Sequence, residues 1–517
     1  MSQNGLIYDI GDRPRFGQLL IFALQQVLAI IAATIAVPTI IGLPAQIPAA
    51  ILGAGIGTIV YLLFTRFKSP VFLGSSFAFL SSLMVAMSYG YLGIIVGSLF
   101  AGLVYVIFAL IIHFAGTAWV NKLLPPVIIG PTVAIIGLSL AANAMGDIVK
   151  ASGNIGGVNI YSDYNLVALL CGLIAFLTIV LCSSQKRFKM MRLIPFVIGI
   201  CAGYAAAAIF TAIGYATDCQ YLMIIDFSPI VNNFVNDAGE FAGITAFLNY
   251  PDFALIEAIK ELVNGESSIA GAAALDGGAI AEVAIAFVPV AFVVFAEHIA
   301  DHKNLSTIIG RDLITDPGLK RTLLGDGVGS MAGTVFGICP NTTYGESVGC
   351  IAITKNASIS TIFTAAVMCI VISFISPLMA VLRTIPSCVM GGVCLTLYGF
   401  IAVSGLKMFK DLDLGENKNL FVVSAILIAG IGGLTIQIPY AVGAGGAVEK
   451  TIQITSIATA LILGIVTNLV LGKLEKKQAG DGGDSLITAA VPENADGITP
   501  VEEEALVKTD AGQPEEK

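Results

Sequence analysis

The fold is decided by two stretches, Pro340-Asn-Thr-Thr-Tyr-Gly-Glu-Ser-Val-Gly349 and Pro70-Val-Phe-Leu-Gly-Ser-Ser-Phe-Ala-Phe79. Each begins with proline and is interrupted by glycine and by serine or threonine, inside an otherwise apolar part of the chain. Such a break leaves backbone N–H and C=O groups without helical partners, and in a membrane these groups must bond to protein, water or a ligand. Paired, short, interrupted segments are typical of a transporter with a binding site near the bilayer midplane. The alternative is a pair of simply kinked helices.

Composition places these stretches in a membrane protein. Of 517 residues, 56% are hydrophobic and only 12% are charged, which excludes a soluble globular enzyme, a disordered protein and a coiled coil. The net charge of −9, with no basic stripe, argues against a nucleic-acid partner. The nine cysteines are scattered and form no CxxC pair, so we expect buried thiols, no metal site and no cofactor.

The apolar runs predict an all-α polytopic membrane protein. A spanning helix needs about 20 apolar residues. Fourteen candidate spans meet this pattern: 18–37, 47–64, 70–86, 91–113, 124–144, 164–182, 192–214, 281–300, 323–339, 343–356, 359–377, 382–403, 419–436 and 451–472. The two interrupted stretches then lie in the third span and at the tenth span. Each of these spans is the third one of its half of the chain.

Loop charges predict the orientation of these spans. The long loop 215–280 has nine acidic residues and one basic residue, Lys260, whereas the loops on the other side are rich in lysine and arginine. This asymmetry predicts that both termini are cytoplasmic, 1–17 at one end and a disordered acidic tail, 473–517, at the other. The repeats would be 18–214 and 281–472. Because each holds an odd number of spans, the two would be inverted relative to each other.

Carboxylates inside the predicted spans are candidates for the site, because charged groups in a membrane are costly and are usually functional. Glu346 lies in the interrupted tenth span. Glu297 lies near the inner end of the eighth span, and Asp301 follows it by one helical turn, on the same face. Such acids could bind a polar substrate and carry a proton with it. The alternative for Glu297 is that it begins a cytoplasmic loop and is merely solvated.

Other polar residues near these acids allow more than one interpretation. His298 and His302 are four residues apart, as in a zinc-binding helix, but the motif HExxH is absent, so we favour a transporter helix without metal. Gln26 could reach the cavity or bond to a neighbouring helix. Tyr398 could be a site residue or a structural one.

Four motifs resemble one known family, the nucleobase–ascorbate transporters, or nucleobase–cation symporters type 2, and within it the bacterial uracil permeases. The family signature, Gln/Glu/Pro-Asn-x-Gly-x4-Thr-Arg/Lys/Gly, reads here Glu346-Ser-Val-Gly349-Cys-Ile-Ala-Ile-Thr354-Lys355. The other motifs are Gly74-Ser-Ser-Phe-Ala-Phe79, Ala296-Glu-His-Ile-Ala-Asp301 and Asp316-Pro-Gly-Leu319, and the match covers most of 18–472.

The resemblance implies fourteen spans in two inverted repeats of seven that form a core domain and a gate domain. Short antiparallel strands would lie in the third and tenth spans. Glu297 and Glu346 would bind the polar edge of a base, and the backbone amides of Phe77 and Gly345 would bind its carbonyl oxygens. Glu297, Asp301 and Glu346 would take part in proton coupling. The supporting residues would be Ser76, Tyr344, Ser347, Gln26 and Tyr398.

As a family member, the chain would be a proton-coupled symporter in the plasma membrane, not an enzyme. The core would carry the bound base past the gate, in a homodimer made by gate domains. Gln26 stands where many members have histidine, and Ser347 replaces the signature asparagine. Asp301 occurs where uracil permeases have histidine and purine transporters usually have aspartate. The loop 215–280 is also longer than the family leads us to expect.

These departures leave the substrate open. Glu346 favours uracil, whereas Asp301 and Ser347 also allow a purine such as xanthine or urate. From a different functional class, an anion exchanger or channel on a similar scaffold is the alternative, although two acids at the site argue against it.

Overall fold

The computed structural model describes residues 6–116, 119, 125–151, 154–155, 158–159, 164–235, 239–442 and 448–480, and most of them are helical. In the first half the helices are α1 Phe16–Ile40, α2 Ile47–Phe64, α3 Leu80–Met87, α4 Gly90–Ala115, α5 Pro126–Ser139, α6 Ala141–Ile148, α7 Leu166–Ser184, α8 Lys189–Leu193 and α9 Pro195–Thr217. In the second half they are α10 Ser228–Phe234, α11 Ala254–Asn264, α12 Gly277–Ile309, α13 Leu319–Phe336, α14 Gly345–Thr354, α15 Ile359–Ser373, α16 Ser376–Arg383, α17 Ser387–Lys407, α18 Asn417–Ile431 and α19 Ser456–Gly480. The strands are β1 Leu73–Ser75, β2 Asn154–Ile155, β3 Val158–Asn159, β4 Asn341–Thr343, β5 Ile436–Val442 and β6 Val448–Ile454.

Many of these helices suit a membrane. Within the described ranges, nine helices are long and apolar enough to cross one, and three shorter apolar helices accompany them. Leucine, isoleucine and valine remain exposed along several of these helices, as expected of side chains that face lipid. The fold is therefore mostly helical with several membrane-spanning helices.

The strands β1 and β4 form the antiparallel pair that the interrupted stretches predict. Leu73 lies opposite Thr343, and Ser75 lies opposite Asn341. The pairing also extends past the strands, because the Ser76 amide donates to the Pro340 carbonyl at 3.0 Å. The prediction of short strands at these two positions is confirmed, and the alternative of two kinked helices is wrong.

Glycines let α2 and α13 approach each other closely around this strand pair. A methyl group added to Gly57 would lie 2.8 Å from the Gly329 carbonyl oxygen. The Asn341 side chain donates to the Gly53 carbonyl at 2.8 Å, so β4 is attached directly to α2. Small residues at such contacts are typical of helix packing in lipid. The packing therefore fixes the strand pair between two long helices.

The bounds of α12 differ from the predicted span 281–300, because the helix runs from Gly277 to Ile309. Glu297 is thus inside the helix and does not begin a loop. The alternative that Glu297 begins a cytoplasmic loop is therefore wrong. The apolar pattern stops at Asp301, but the helix continues because His302 and Leu305 are buried against protein.

Several other predicted spans have different bounds in the structure. The span 124–144 is divided into α5 and α6. The spans 323–339 and 382–403 correspond to α13 and α17, which begin at Leu319 and Ser387. Lys320 and Arg321 hide the start of α13 from a search for apolar runs. The start of α17 was placed too early because the apolar run crosses the end of α16 at Arg383 and the cap at Pro386.

The hairpin of β5 and β6 contradicts an all-α reading at the ends of two predicted spans. Ile436 pairs with Ile454 in an antiparallel register, where 419–436 and 451–472 predicted continuous helices. Isoleucine alternates with glutamine on both sides, which is the period of a strand. Branched residues such as isoleucine also favour strands.

The loop 215–280 contains helical structure, namely α10, α11 and the start of α12. The Glu261 carboxylate accepts hydrogen bonds from the amides of Tyr91 and Leu92 at 3.0 and 3.1 Å. These amides belong to the first turn of α4, where backbone donors lack helical partners. Glu261 therefore fastens this segment to a transmembrane helix.

The final helix, α19, continues to Gly480, so the prediction that 473–517 is disordered is wrong for 473–480. Leucine, glutamate and lysine dominate the stretch just after 472, and these residues favour helix. The rest of the predicted tail, 481–517, lies outside the described residues.

An N-terminal strap, residues 6–12, lies against the chain that follows α14. The Ile7 amide donates to the Lys355 carbonyl at 2.8 Å. Asp9 forms an ion pair with Arg311, just after α12. The strap therefore contacts the ends of both helices that carry the candidate acids.

Candidate functional site

Two helix starts meet at the strand pair. Ser76 precedes a short 3-10 helix, Phe77–Phe79, that leads into α3, and Tyr344 immediately precedes α14. Since the strands are antiparallel, the two helices leave the pair in opposite directions. The first backbone N–H groups of a helix have no partner within it and carry partial positive charge. The site thus offers two sets of backbone donors, one at Phe77 and one at Gly345, suited to a ligand's carbonyl oxygens or to an anion.

Tyr344 fixes the geometry between the two starts. Its amide donates to the Phe72 carbonyl at 3.2 Å, and its hydroxyl donates to the Ser75 carbonyl at 2.8 Å. The ring lies directly over Gly74, where any side chain would collide with it. Glycine at position 74 is therefore required by the position of Tyr344.

The structure brings the three predicted acids together. Glu297 and Asp301 on α12 and Glu346 on α14 are all half-buried, and their carboxylates are close enough to interact electrostatically. Thr343, the last residue of β4, donates through its hydroxyl to Asp301 Oδ2 at 2.7 Å. Gly345 is exposed, and a methyl group added there would lie 4.0 Å from Asp301 Oδ1. The acids thus surround the start of α14.

These acids have no basic partner in the described part of the chain. The ion pairs found there involve other residues, with lysine and arginine pairing at exposed positions. An ionised group in a low-dielectric surrounding without a partner is costly. The acids are therefore placed to bind donors from a ligand or protons.

The supporting residues occupy two places. Gln26 on α1 donates through its side-chain amide to the Ser347 hydroxyl, and both residues are buried. Ser76 is buried at the first helix start. The Phe77 ring packs edge-on against the Tyr398 ring, with centroids 5.8 Å apart. Two of the departures from the family, Gln26 and Ser347, thus contact each other next to Glu346.

The two histidines of α12 serve another network. His298 Nδ1 lies 2.6 Å from Asp326 Oδ2 on α13, and its Nε2 lies 3.0 Å from the Thr322 hydroxyl. His302 Nε2 lies 2.7 Å from the Tyr61 hydroxyl on α2. In the described part of the chain no group of three histidine, cysteine or acidic residues could hold a metal ion. The histidines therefore connect helices.

Sequence reasoning missed Asp326. It is fully buried, and it lies in the run Gly325-Asp-Gly327, within the predicted span 323–339. A lone acid inside a span is the same signal that marked Glu346. Applied consistently, this signal would have found it.

Comparisons with known proteins identify the family of the chain. A model described as Permease family matches residues 17–439. The uracil permease of Bacillus caldolyticus is 37% identical over 471 residues, covering 90% of this chain and 95% of that protein. The uracil permease of Bacillus subtilis (strain 168) is 35% identical, covering 93% and 98%. The uracil permease of Escherichia coli (strain K12) is 32% identical, covering 89% and 93%.

Solved structures show the same fold at low identity. The transmembrane domain of the cyanobacterium bicarbonate transporter BicA aligns with a TM-score of 0.51 and 14% identity, covering 89% of this chain and all of that one. The murine Solute Carrier 26 family member A9 anion transporter, in the inward-facing state, aligns with a TM-score of 0.57 and 12% identity, covering 90% and 69%.

The apolar helices and these relatives make the protein an integral membrane protein. The family match spans both interrupted stretches and all three acids. The chain therefore belongs to the permease family that contains these uracil permeases, the nucleobase–ascorbate transporter family.

Proposed function

We propose that the protein is a proton-coupled symporter that imports a nucleobase, and that this nucleobase is uracil. The observation that carries the proposal is the position of Glu346 at the start of α14, beside the strand pair and close to Glu297 and Asp301. The relatives named uracil permeases support the same substrate class.

The site complements the polar edge of uracil. This flat ring alternates N–H donors with C=O acceptors. In the proposal, Glu297 and Glu346 accept hydrogen bonds from the ring N–H groups, and the backbone amides of Phe77 and Gly345 donate to its carbonyl oxygens. Hydrogen bonds to a charged acceptor are stronger than neutral ones, which favours a ligand that can donate.

Proton coupling uses the same acids. A proton bound to one carboxyl group lowers the charge that must cross a low-dielectric membrane with the substrate. Asp301 already accepts a hydrogen bond from Thr343, which leaves its second oxygen toward Gly345. In the proposal, Glu297, Asp301 and Glu346 share this role.

The proposed architecture has fourteen spans in two inverted repeats, 18–214 and 281–472, with both termini cytoplasmic and 215–280 outside. The contacts between helices support two groups. In one, α2 packs on α13 and α15, and α4 packs on α12 and α13. In the other, α17 packs on α5, α6 and α7, and α7 packs on α9. We assign the first group to a core that carries the base and the second to a gate, in an elevator-like mechanism within a homodimer in the plasma membrane.

A purine such as xanthine or urate is the second candidate substrate. Asp301 and Ser347 support this alternative. Asp301 departs from the uracil permeases and lies beside the start of α14, and Ser347, in the first turn of α14, departs from the asparagine of the family signature. An anion exchanger is a weaker candidate. Its support is the fold shared with an anion transporter and a bicarbonate transporter, but three clustered acids would repel an anion.

Uptake into proteoliposomes tests the proposal. Labelled uracil should accumulate when the vesicles carry an inward proton gradient and should not accumulate without one. In competition with labelled uracil, unlabelled uracil should inhibit uptake most strongly, and xanthine should be the next strongest inhibitor in a panel of bases. The absence of uracil flux would reject the substrate, flux that ignores the gradient would reject coupling to protons, and bicarbonate or chloride exchange would favour the anion alternative.

A further inference from the structure

Helix α11, Ala254–Asn264, exposes an apolar face to its surroundings. At 3.6 residues per turn, the large apolar residues of this face share about one third of the helix circumference. They are Leu255 at 40% exposed, Ile256 at 40%, Ile259 at 49%, Leu262 at 66% and Val263 at 78%. A contiguous apolar surface of this kind marks contact with another protein, a ligand or a membrane.

The opposite side of α11 is held against the protein. Ala254 and Ala258 are buried, and the helix packs on α4 and α13. Glu261 lies on the same side, where its carboxylate accepts hydrogen bonds from the amides of Tyr91 and Leu92 at the start of α4. These contacts fix the rotation of α11, so its apolar face points away from the protein.

The charges of α11 are arranged around this face and not on it. Glu257 is only 13% exposed and forms an ion pair with Lys260, and Glu261 is bound to α4. Lys260 is the one basic residue of 215–280, and it lies at the border of the apolar face. A lysine beside an apolar face suits the layer of phosphate groups at a membrane surface, whereas an acid on that face would oppose it.

The apolar face of α11 lies next to a stripe of α4 that faces lipid. Leu92, Val96, Leu99 and Leu103 recur at intervals of one helical turn, so they lie along one side of α4. Leu99 and Leu103 are exposed to 45% and 50%. Leu92, at the start of the stripe, and Leu262 of α11 line the same cavity, which has a volume of about 510 Å³. The apolar face of α11 therefore continues the lipid-facing surface of α4.

We propose that α11 is an interfacial helix and that phospholipid covers its apolar face. An amphipathic helix in this position buries its apolar face ~5–10 Å into the boundary between headgroups and acyl chains. Lys260 then lies among the phosphate groups, and Glu261 ties the helix to α4. In the orientation proposed above, with 215–280 outside, the lipid belongs to the outer leaflet.

Tryptophan fluorescence in lipid vesicles tests this contact. Trp119 is the only tryptophan of the chain, so Trp119→Phe provides a background in which a new tryptophan can be read alone. In this background, the fluorescence of Leu262→Trp should fall when phosphatidylcholine with brominated acyl chains replaces the unbrominated lipid. Bromine near the carbonyl end of the chains should quench it more than bromine near the methyl end.

Asn264→Trp is the matched control on the same helix, because Asn264 is exposed on the polar side of α11. Brominated lipid should quench it less than Leu262→Trp, and the water-soluble quencher iodide should quench it more. If iodide but not brominated lipid quenches Leu262→Trp, the face is in water and the proposal is overturned. If neither quenches it, a protein covers the face, which also overturns the proposal.

Labelling of the wild-type protein gives an independent answer, even if a variant does not fold. A phospholipid with a photoactivatable group on its acyl chain is incorporated into the vesicles, and labelled peptides are identified by mass spectrometry. We expect label within 254–264 as well as on the stripe of α4 around Leu103. Label on α4 without label on α11 would overturn the proposal.

Discussion

The two interrupted stretches share one backbone design but differ in charge. β1 leads through Phe77–Phe79 into α3, and β4 leads into α14, so each supplies a helix start at the strand pair. The first stretch has no ionisable side chain between 70 and 79, whereas the second carries Glu346 three residues after β4 ends. The first therefore contributes neutral backbone donors, and the second contributes donors and an acid.

The two stretches therefore share a structural role, but only the second has an acid that can select a ligand. Antiparallel pairing and helix starts depend on the backbone and on small residues, which both stretches possess. Selectivity for a donor-rich ligand depends on a side chain, which only the second stretch possesses. A change at Glu346 should therefore alter binding with little effect on folding, whereas a change at a packed small residue such as Gly74 should alter folding.

The largest effect is expected from Glu346→Gln. In the proposed site, loss of the charged acceptor weakens uracil binding by ~30-fold or more, equivalent to about 2 kcal/mol, or shifts preference to another base. Calorimetry on the purified variant measures this, with Glu266→Gln, an exposed acid in the loop, as the control. Unchanged affinity with a folded protein would remove Glu346 from the site.

In the proposed mechanism Glu297 binds the base and carries a proton, so Glu297→Ala should abolish uracil accumulation. Uptake into proteoliposomes measures the loss. Glu282→Gln on the same helix is the control, since Glu282 bonds to the Tyr89 hydroxyl away from the acids. If Glu297→Ala accumulates uracil normally, the acids of α12 do not take part.

Gly74→Ala should destabilise the protein by ~1–3 kcal/mol, since the new methyl group collides with the Tyr344 ring. Gly349→Ala in the second stretch is the matched control, because nothing lies within 4 Å of the added methyl group. Thermal unfolding of both variants compares the two stretches directly. Equal stability would mean that Tyr344 does not require glycine at position 74.

The smallest effect is expected from the pair Gln26→His and Ser347→Asn, which restores the family pattern at two contacting positions. Each single change should alter the affinity for uracil a few-fold, because it breaks the Gln26–Ser347 hydrogen bond. The double change should differ from the sum of the two. Strictly additive effects, measured as dissociation constants for uracil and xanthine, would show that the pair acts as two independent residues.

Several features of the site follow from the sequence alone. Proline, glycine and small polar residues in apolar runs marked both strand–helix units, because only a broken span explains them. Glu346 was visible because an acid among apolar residues is costly. The geometry around them was not visible, since the contact of Thr343 with Asp301 depends on how β4 packs against α12.

Two of the misses have a common physical cause. An apolar-run search identifies the part of a helix that faces lipid, so it ended α12 at 300, although the helix is buried by protein as far as Ile309. The same search read the alternating isoleucines near Ile436 as helix, although their period is that of a strand. Asp326 is a separate miss: it is a lone acid inside a predicted span, the signal that marked Glu346, and its partner His298 lies on another helix.

The N-terminal strap has a practical consequence for following transport. Its backbone is bonded just after α14, and Asp9 is tied to Arg311 just after α12, so the strap accompanies both acid-bearing helices. Ile7 is exposed there, and Leu177 on α7 is exposed in the other helical group. If the proposed elevator-like mechanism operates, paired spin labels at these two positions would show the movement of the acid-bearing helices relative to α7 as a change in distance, without any probe near the acids.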